Sequence, residues 1–225
     1  MKALAPEELL GPLNDIEMKY APKTLYVEGD ISLLKKSPRI AVIGTRHPSE
    51  LGKKRTAKLT KALVQNSCII ISGLAEGVDT IAHLTAIESG GRTIAVLGTP
   101  LDRFFPAKNK MLQHTIMEKH LAVSQFPSNY PIQPKNFPMR NRIMALIADA
   151  SVIIEASDKS GTLSQGWETL RLGRALYIMK SVCEDNSLNW PRKMIDYGAI
   201  PLFDTESLIY DLPLVRDDVT LNVAI

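Results

Sequence analysis

The sequence has 225 residues, of which 45% are hydrophobic and 23% are charged, with a formal net charge of +3. These values suit one globular domain, or one domain with an appendage. Two cysteines do not make a disulfide framework, no apolar run reaches the ~18 residues of a membrane span, and residues 1–15 lack the apolar segment of a signal peptide. We therefore expect a cytoplasmic protein that does not associate with membranes.

Short β-branched runs alternate with helical patterns along the chain. Seven runs predict strands, at 39–44, 68–73, 93–98, 121–125, 151–156, 175–179 and 198–203. Six segments predict helices, at about 50–65, 79–88, 108–119, 139–149, 162–173 and 191–197. Continuous apolar strands that alternate with helices are typical of a mostly parallel sheet covered on both faces. The sequence therefore predicts an α/β fold.

The two ends of the chain differ from this alternating region. Residues 1–35 contain three prolines and predict a short N-terminal arm, and residues 212–225 predict a weakly structured tail. Residues 36–211 form the predicted α/β domain. The basic residues also cluster, because residues 35–61 hold nine Lys and Arg against one acid, Glu50. Such a surface is either the footprint of a polyanion or a solvated helix face.

Three predicted strands end in glycine, at Gly44, Gly73 and Gly98. Ligands of parallel α/β sheets bind at the carboxyl ends of strands, where glycine lets a backbone N–H approach a phosphate. The turn GTRHPS (44–49) predicts either a phosphate site closed by Arg46 or an ordinary strand–helix turn with a surface arginine. It is not a GxGxxG motif, so it does not support a dinucleotide site.

The stretch SGLAEGVDTIAH (72–83) places an acid and a histidine one helical turn apart. Asp79 and His83 either pair across that turn, or Asp79 caps the helix while His83 packs at the edge of the core. The second interpretation is favoured. The pair alone is not a catalytic site because it has no nucleophile or metal partner.

The stretch NFPMRNR (136–142) places arginines where a helix begins, although the helix dipole disfavours cations there. This position indicates an anionic ligand. Arg140 and Arg142 are two residues apart and cannot easily share a helix face. We expect one to point into a cleft and the other to pair within the protein, with Asp149 or Glu155 as candidate partners. Phe137 is either a stacking platform for a base or a hydrophobic staple.

The stretch SGTLSQGWE (160–168) also follows a buried strand. Ser160, Gly161 and Thr162 offer free amides and hydroxyls at a helix N-terminus, which suits an anion. Thr162 and Gln165 also have the spacing of a capping box, and both interpretations are compatible. The four histidines are scattered, and no metal-ligand spacing, Walker A loop, GxSxG elbow or HExxH helix occurs.

Taken together, these stretches resemble the DprA/Smf family of DNA-processing proteins, within the larger SLOG group of Rossmann-like domains. The resemblance extends from about Pro22 to Leu202 and includes IAVIGTRHPSELG, ISGLAEGVDTIAH, GGRTIAVLGTPLD and FPMRNRIMALIADASVIIEA. It implies a doubly wound Rossmann-like fold, homodimers, and single-stranded DNA held in a basic pocket at the strand ends. It also implies transfer of that DNA to a RecA-type recombinase, in DNA uptake or recombination.

Carried over by motif, the resemblance implies a set of phosphate- and DNA-binding residues. They are Gly44, Thr45, Arg46, Ser72, Gly73, Phe137, Arg140, Asn141, Arg142, Ser160, Gly161 and Thr162. To these we add Lys53 and Lys54 as cations that neutralise phosphates. We expect no catalytic residue, metal or cofactor.

The chain departs from the family pattern at several positions. Glu76 stands where the family usually has a basic residue, and Gln125 replaces an acid. The segment after SGTL differs, and we expect the N-terminal helical domain to be reduced to the arm and no C-terminal winged-helix domain to follow. These departures favour a specialised paralogue.

A second resemblance is to the phosphoribohydrolases of the same group, whose PGGxGTxxE motif carries a catalytic glutamate. Gln165 stands at that place here and cannot act as a carboxylate base, and Glu168 lies one turn further on. Two further hypotheses therefore stay open beside single-stranded DNA binding. One is a nucleotide sensor or hydrolase that uses the same pocket, and the other is a protein-binding module without a nucleic-acid ligand.

Overall fold

A nine-stranded sheet forms the centre of the computed structural model, which describes residues 1–36 and 38–212. Its strands are β1 (Lys2–Leu4), β2 (Leu25–Gly29), β3 (Arg39–Ile43), β4 (Ile69–Ser72), β5 (Thr93–Leu97), β6 (Leu121–Ser124), β7 (Ala150–Ile153), β8 (Ala175–Met179) and β9 (Ile200–Leu202). The first helices are α1 (Pro6–Leu10), α2 (Asp15–Tyr20), α3 (Glu50–Gln65), α4 (Val78–Glu88) and α5 (Lys110–Lys119). The remaining helices are α6 (Asn136–Ile147), α7 (Thr162–Arg171), α8 (Lys180–Cys183), α9 (Trp190–Asp196) and α10 (Thr205–Asp211). Short 3₁₀ turns span Ile31–Lys35 and Ala107–Asn109.

The strand order is β1-β2-β6-β5-β4-β3-β7-β8-β9, and every pair from β6 to β9 is parallel. From β3 the chain winds outward to β6 on one side and from β7 to β9 on the other. This arrangement confirms the predicted doubly wound, Rossmann-like α/β fold, and all seven predicted strands are present. The winding direction reverses between β3 and β7, which is where open α/β sheets bind their ligands.

Both faces of the sheet are covered, as the apolar strands predicted. In β3, Ala41 and Ile43 pack into the core on one face, together with Ile143 and Ile147 of α6. Val42, their neighbour in the strand, belongs to the core on the other face, which α3, α4 and α10 cover. Successive side chains of a strand point to opposite faces, so a doubly covered strand must be apolar at every position.

Residues 1–35, predicted as an arm, supply two strands that the sequence pattern did not predict. β1 pairs antiparallel with β2, and β2 pairs antiparallel with β6. Leu25 and Val27 of β2 are almost fully buried. This segment therefore extends the sheet and contributes to its core. Of the predicted tail, only Leu212 lies within the described residues.

Several helix boundaries differ from the predicted ones. α6 begins at Asn136 rather than near 139, which places Pro138 inside the first turn, where its missing N–H removes no helical hydrogen bond. α4 begins at Val78, and Gly77 precedes it with a φ of 76° that favours glycine. The predicted helix over 108–119 is a 3₁₀ turn followed by α5.

Candidate nucleic-acid interface

A cavity of about 330 Å³ opens at the carboxyl edge of the sheet, beyond the ends of the neighbouring strands β3 and β7. The turn after β3, the start of α6 and the turn before α7 form its walls. Nine predicted site residues line it: Gly44, Thr45, Arg46, Phe137, Arg140, Asn141, Ser160, Gly161 and Thr162. Lys159 and Ser157 also line it, although the sequence analysis did not select them. Their signal was present in the SDKSG run (157–161) directly before α7.

Arg140 forms a buried wall of this cavity and is only 7% exposed. Its guanidinium donates to the Val96 carbonyl at 3.3 Å and lies 3.9 Å from the Asp79 carboxylate. Burial lowers the pKa of Arg140, and the charge of Asp79 opposes that shift. A Cβ on Gly73 would lie 1.2 Å from a guanidinium nitrogen, so only glycine allows this close approach. The cavity thus contains a cation that water solvates poorly.

Asp79 has a different role from the predicted one. It lies in the first turn of α4, and its carboxylate accepts hydrogen bonds from the backbone N–H groups of Gly73 (3.1 Å) and Ala75 (3.3 Å). It does not cap α4, because Gly77 occupies the N-cap position. Burial raises the pKa of this carboxyl, and the Arg140 charge opposes the shift. Asp79 therefore holds the turn after β4 through two hydrogen bonds, and its negative charge favours the protonated form of Arg140.

His83 lies in the core and is fully buried. Its Nδ1 is 2.7 Å from the Thr93 hydroxyl, a partner on β5. The favoured interpretation of His83 as a structural histidine agrees with this contact.

Arg46 and Phe137 form the rim of the cavity. The Arg46 guanidinium lies 5.9 Å from the centre of the Phe137 ring, and the Phe105 ring lies 5.5 Å from the same ring. Phe137 is the second residue of α6 and is half-buried, so it does not hold the position before the N-cap that a staple requires. A second cavity of about 220 Å³ adjoins this rim and is lined by Gly73, Gly98, Phe105, Phe137 and Arg140, among others. Phe137 thus presents an aromatic surface between two cavities.

The turn before α7 is tied to the turn after β3. The Thr162 hydroxyl donates to the Gly44 carbonyl at 2.9 Å, and the Asn141 amide donates to the Gly161 carbonyl at 3.2 Å. The predicted capping box of Thr162 and Gln165 is wrong, because α7 begins at Thr162 and has no side-chain cap. With its amide group turned so that both polar atoms find partners, Gln165 instead pairs with α6, donating to the Asn141 carbonyl (2.5 Å) and accepting from the Ala145 N–H (3.1 Å).

The N-terminus of α3 is already occupied by a carboxylate. Glu155 accepts from the Ser49 N–H at 3.0 Å and from the Ser49 hydroxyl at 3.2 Å. A Cβ on Gly52 would lie 2.0 Å from this carboxylate. The predicted phosphate site at 44–49 therefore does not extend to the start of α3, and its cavity-lining part is the turn at Gly44, Thr45 and Arg46.

Five predicted site residues lie outside the first cavity. Gly73 lines the second cavity, and Ser72 is buried, with its hydroxyl donating to the Val42 carbonyl at 2.7 Å. Lys53 and Lys54 are exposed on α3, and Lys53 pairs with Glu50 at 2.6 Å. Arg142, the fifth, is described next.

Arg142 lies apart from the predicted site residues of α6 that line the cavity. Its Nε donates to Glu168 at 3.0 Å, and it does not line the cavity. The predicted split between the two arginines is correct, but neither candidate partner was, since Asp149 holds Arg39 at 2.8 Å and Glu155 holds Ser49.

The charges around the rim are mixed. A third cavity of about 480 Å³ is lined by Arg46, His47, Lys53, Glu76 and Lys108, among others, and Glu76 pairs with Lys108 at 2.6 Å. Arg46 lines all three cavities.

Within residues 1–36 and 38–212, no group of three or more His, Cys, Asp or Glu is placed to hold a metal ion. None of the described helices has the length and apolar character needed to cross a membrane.

The family model for DNA recombination-mediator protein A matches residues 7–213. The chain belongs to this family. It is 38% identical to DNA processing protein DprA of Streptococcus pneumoniae, over 84% of this chain and 66% of that protein. The chain therefore spans just under two thirds of the length of that relative.

Two solved structures from the same family are similar. DNA processing protein A of Streptococcus pneumoniae superimposes with a TM-score of 0.81 and 32% identity, covering 94% of this chain and 74% of that one. DNA processing protein A of Helicobacter pylori, solved for its single-stranded DNA binding mode, gives 0.78 and 28%, covering 93% of this chain and 94% of that one. A molybdenum cofactor binding protein of Rippkaea orientalis gives 0.56 at 16% identity, covering 78% and 94%, and shares only the fold.

Proposed function

We propose that this chain binds single-stranded DNA non-catalytically in the cavity between the turns after β3 and β7. The observation that carries the proposal is the convergence of Arg46, Arg140 and Ser160 on that cavity. Phosphates are held by guanidinium groups and backbone N–H groups, which tolerate any base sequence. The single-stranded DNA binding mode of the Helicobacter pylori relative supports the same ligand.

The bases have a partner in Phe137. Its ring is half-buried and adjoins the second cavity, which Phe105 also lines. Stacking on an aromatic ring contributes roughly 1–3 kcal/mol per base and does not depend on sequence. We therefore assign phosphates to Arg46 and Arg140, and a stacked base to Phe137.

The first test is the salt dependence of binding to a labelled oligo-dT. Each neutralised phosphate contributes about −0.7 to the slope of log affinity against log salt for single strands. R46A is expected to lower the affinity and reduce that slope by about one such contribution. Arg192, exposed on α9, provides the matched control R192A. An affinity that stays flat as salt rises would contradict the phosphate model.

The second candidate function is binding or hydrolysis of a small nucleotide in the same cavity. Hydrolysis needs a carboxylate base, and Asp79 is the only acid among the described residues that line this cavity. That carboxylate already accepts two backbone hydrogen bonds, and Glu168 is held by two arginines. These contacts favour DNA binding over hydrolysis.

Thermal unfolding with added ligand separates the two candidates. A ligand that binds only the folded state raises the unfolding midpoint. We expect a rise with oligo-dT and none with mononucleotides. The reverse result would favour the nucleotide hypothesis, and no rise with either would favour a protein-binding module.

The homodimer and the recombinase partner are further parts of the proposal. Ile200 on the edge strand β9, Phe203 and Tyr210 are exposed, at 39%, 67% and 89%. An apolar patch beside an edge strand is suited to pairing with a second copy of the chain. F203E is expected to yield monomers in light scattering, while wild type yields dimers.

The family description as a recombination mediator supports transfer of bound DNA to a recombinase of the RecA type. The free Cys68 and Cys183 agree with a cytoplasmic setting.

A further inference from the structure

Helix α2 contacts α6 and α7 through residues that do not line the cavity. The Arg171 guanidinium of α7 stacks on the Tyr20 ring at 3.6 Å from its centre, and the Arg142 guanidinium of α6 lies 5.9 Å from the same centre. Both arginines also belong to an ion-pair network. We call the set Glu17, Tyr20, Arg142, Glu168, Arg171 and Arg174 the rear cluster.

Glu168 joins the two helices within the rear cluster. One carboxylate oxygen accepts from Arg142 Nε at 3.0 Å, and the other accepts from Arg171 Nε at 2.7 Å. The Glu168 side chain is largely buried. Because Arg142 belongs to α6 and Glu168 to α7, this carboxylate fixes one helix against the other.

A second connection lies nearer the end of α6. Arg174 donates to Glu17 of α2 at 2.6 Å and to the Leu146 carbonyl of α6 at 3.1 Å. Glu17 is itself held, because its other oxygen accepts from the Asn14 N–H at 2.9 Å in a complete capping box. Helix α2 therefore contacts α6 and α7 through Tyr20, and it is linked to α6 a second time through Arg174 in the segment after α7.

The cavity depends on how these two helices are placed. Arg140 and Asn141 come from α6, whereas Thr162 and Gln165 come from α7. Neither helix has a side-chain cap at its N-terminus, the end that lines the cavity. The first N–H groups donate within their own turns instead, Phe137 to the Pro134 carbonyl at 3.3 Å and Leu163 to the Ser160 carbonyl at 3.2 Å. The helix starts therefore lack the restraint that a side-chain cap provides.

We propose that Tyr20 and Glu168 are positioning residues for the DNA site, through which the N-terminal segment sets the spacing of α6 and α7. The inference rests on the proposed binding of single-stranded DNA. No member of the rear cluster lines the cavity. The rear cluster acts by holding Arg140 and Asn141 opposite Thr162, so its loss widens or tilts the cavity without removing a binding group.

Y20A and E168Q test this role by fluorescence anisotropy with a labelled oligo-dT. Y20A is expected to raise Kd by roughly 3–10-fold, with the salt slope unchanged because no phosphate contact is lost. Y20F retains the ring and is expected to stay within about twofold of wild type. Ile16, exposed on the same helix, provides the control I16A.

E168Q gives a prediction whose sign differs from that of simple electrostatics. Removing a negative charge near a polyanion site tightens binding if charge alone matters. A positioning role predicts weaker binding, because the amide no longer holds both arginines. E184Q removes an exposed acid from the segment after α8 and is the charge-matched control.

Titration to the equivalence point reports the binding-competent fraction, which separates weaker binding from partial unfolding. The inference would be overturned if both Y20A and E168Q bound oligo-dT with a Kd within about twofold of wild type, or if E168Q bound more tightly than wild type. This holds even if the unfolding midpoints of the variants fall. Wild type that binds no oligo-dT would overturn the proposed function and this inference together.

Discussion

Arg140 reaches the cavity only because Gly73 has no side chain. A methyl group at Gly73 would overlap the guanidinium at 1.2 Å, so the arginine must leave its position. We expect G73A to fold with a loss of about 1–3 kcal/mol, as for other overpacked sites. We also expect weaker binding of oligo-dT. The measurements are denaturant unfolding and anisotropy, and retention of wild-type affinity would show that Arg140 is not a phosphate ligand.

His83 predicts a pH dependence of stability. Burial lowers its pKa to about 3, from an ordinary value of 6.5. As the pH falls, the unfolded chain therefore takes up a proton at this site before the folded chain does. The free energy of unfolding is highest above pH 6.5 and falls as the pH drops from 6.5 towards 3. Within that window the loss is about 1.4 kcal/mol per pH unit.

The variant H83N tests this prediction, because it removes the titrating group. Its unfolding free energy should fall less steeply between pH 6 and pH 4 than that of wild type, by about one proton's contribution. Equal slopes for wild type and H83N would contradict the prediction.

At the residue scale, the sequence predicted which groups meet but not which partner each one takes. Arg46, Arg140 and Ser160 were predicted to bind an anion, and all three line one cavity. Arg142 was predicted with them, because a spacing of two places the two arginines on different faces of the helix but does not identify the face that meets the cavity. Glu155 filling the start of α3 was equally invisible, since the contact joins residues 106 positions apart.

At the scale of elements, one hydroxyl connects α7 to the turn after β3. T162V keeps the shape of Thr162 but removes the hydrogen bond to the Gly44 carbonyl. We expect a loss of about 0.5–1.5 kcal/mol of stability and weaker oligo-dT binding, because both turns line the cavity proposed to bind DNA. T162S retains the hydroxyl and should behave like wild type. A T162V protein with unchanged affinity would show that this connection does not shape the site.

The sequence predicted the parallel strands well but missed the two antiparallel strands, β1 and β2. Strands such as β3 and β7 are buried on both faces, so their sequences are nearly continuous runs of apolar residues that can be recognised locally. β1 and β2 lie at an edge, and β1 has only three residues. Their positions depend on pairing with β6, more than ninety residues away from β2, which no local pattern reveals.

On the scale of the whole molecule, the cavity and the N-terminal segment belong to one core. Residues of β2 and of the 3₁₀ turn after it pack in the same cluster as Ile143 and Met144 of α6. The N-terminal segment thus packs against a helix that lines the proposed DNA site. Whether 1–35 is an arm or a part of the domain is therefore a question about stability that deletion answers.

Deletion of residues 1–35 separates these two possibilities. Five side chains in that segment are at most 1% exposed: Leu9, Leu25, Val27, Leu33 and Leu34. Burying each contributes about 1.5–3 kcal/mol, and the sum is comparable with the 5–15 kcal/mol that stabilises a typical domain. We expect the shortened chain to lose cooperative thermal unfolding by circular dichroism. Deleting only residues 1–4 removes the short strand β1 and should lower the midpoint by a few degrees at most, since its side chains are largely exposed. A chain without residues 1–35 that melts at the wild-type temperature would mean that the core closes without β2, and that α6 and α7 hold their places unaided.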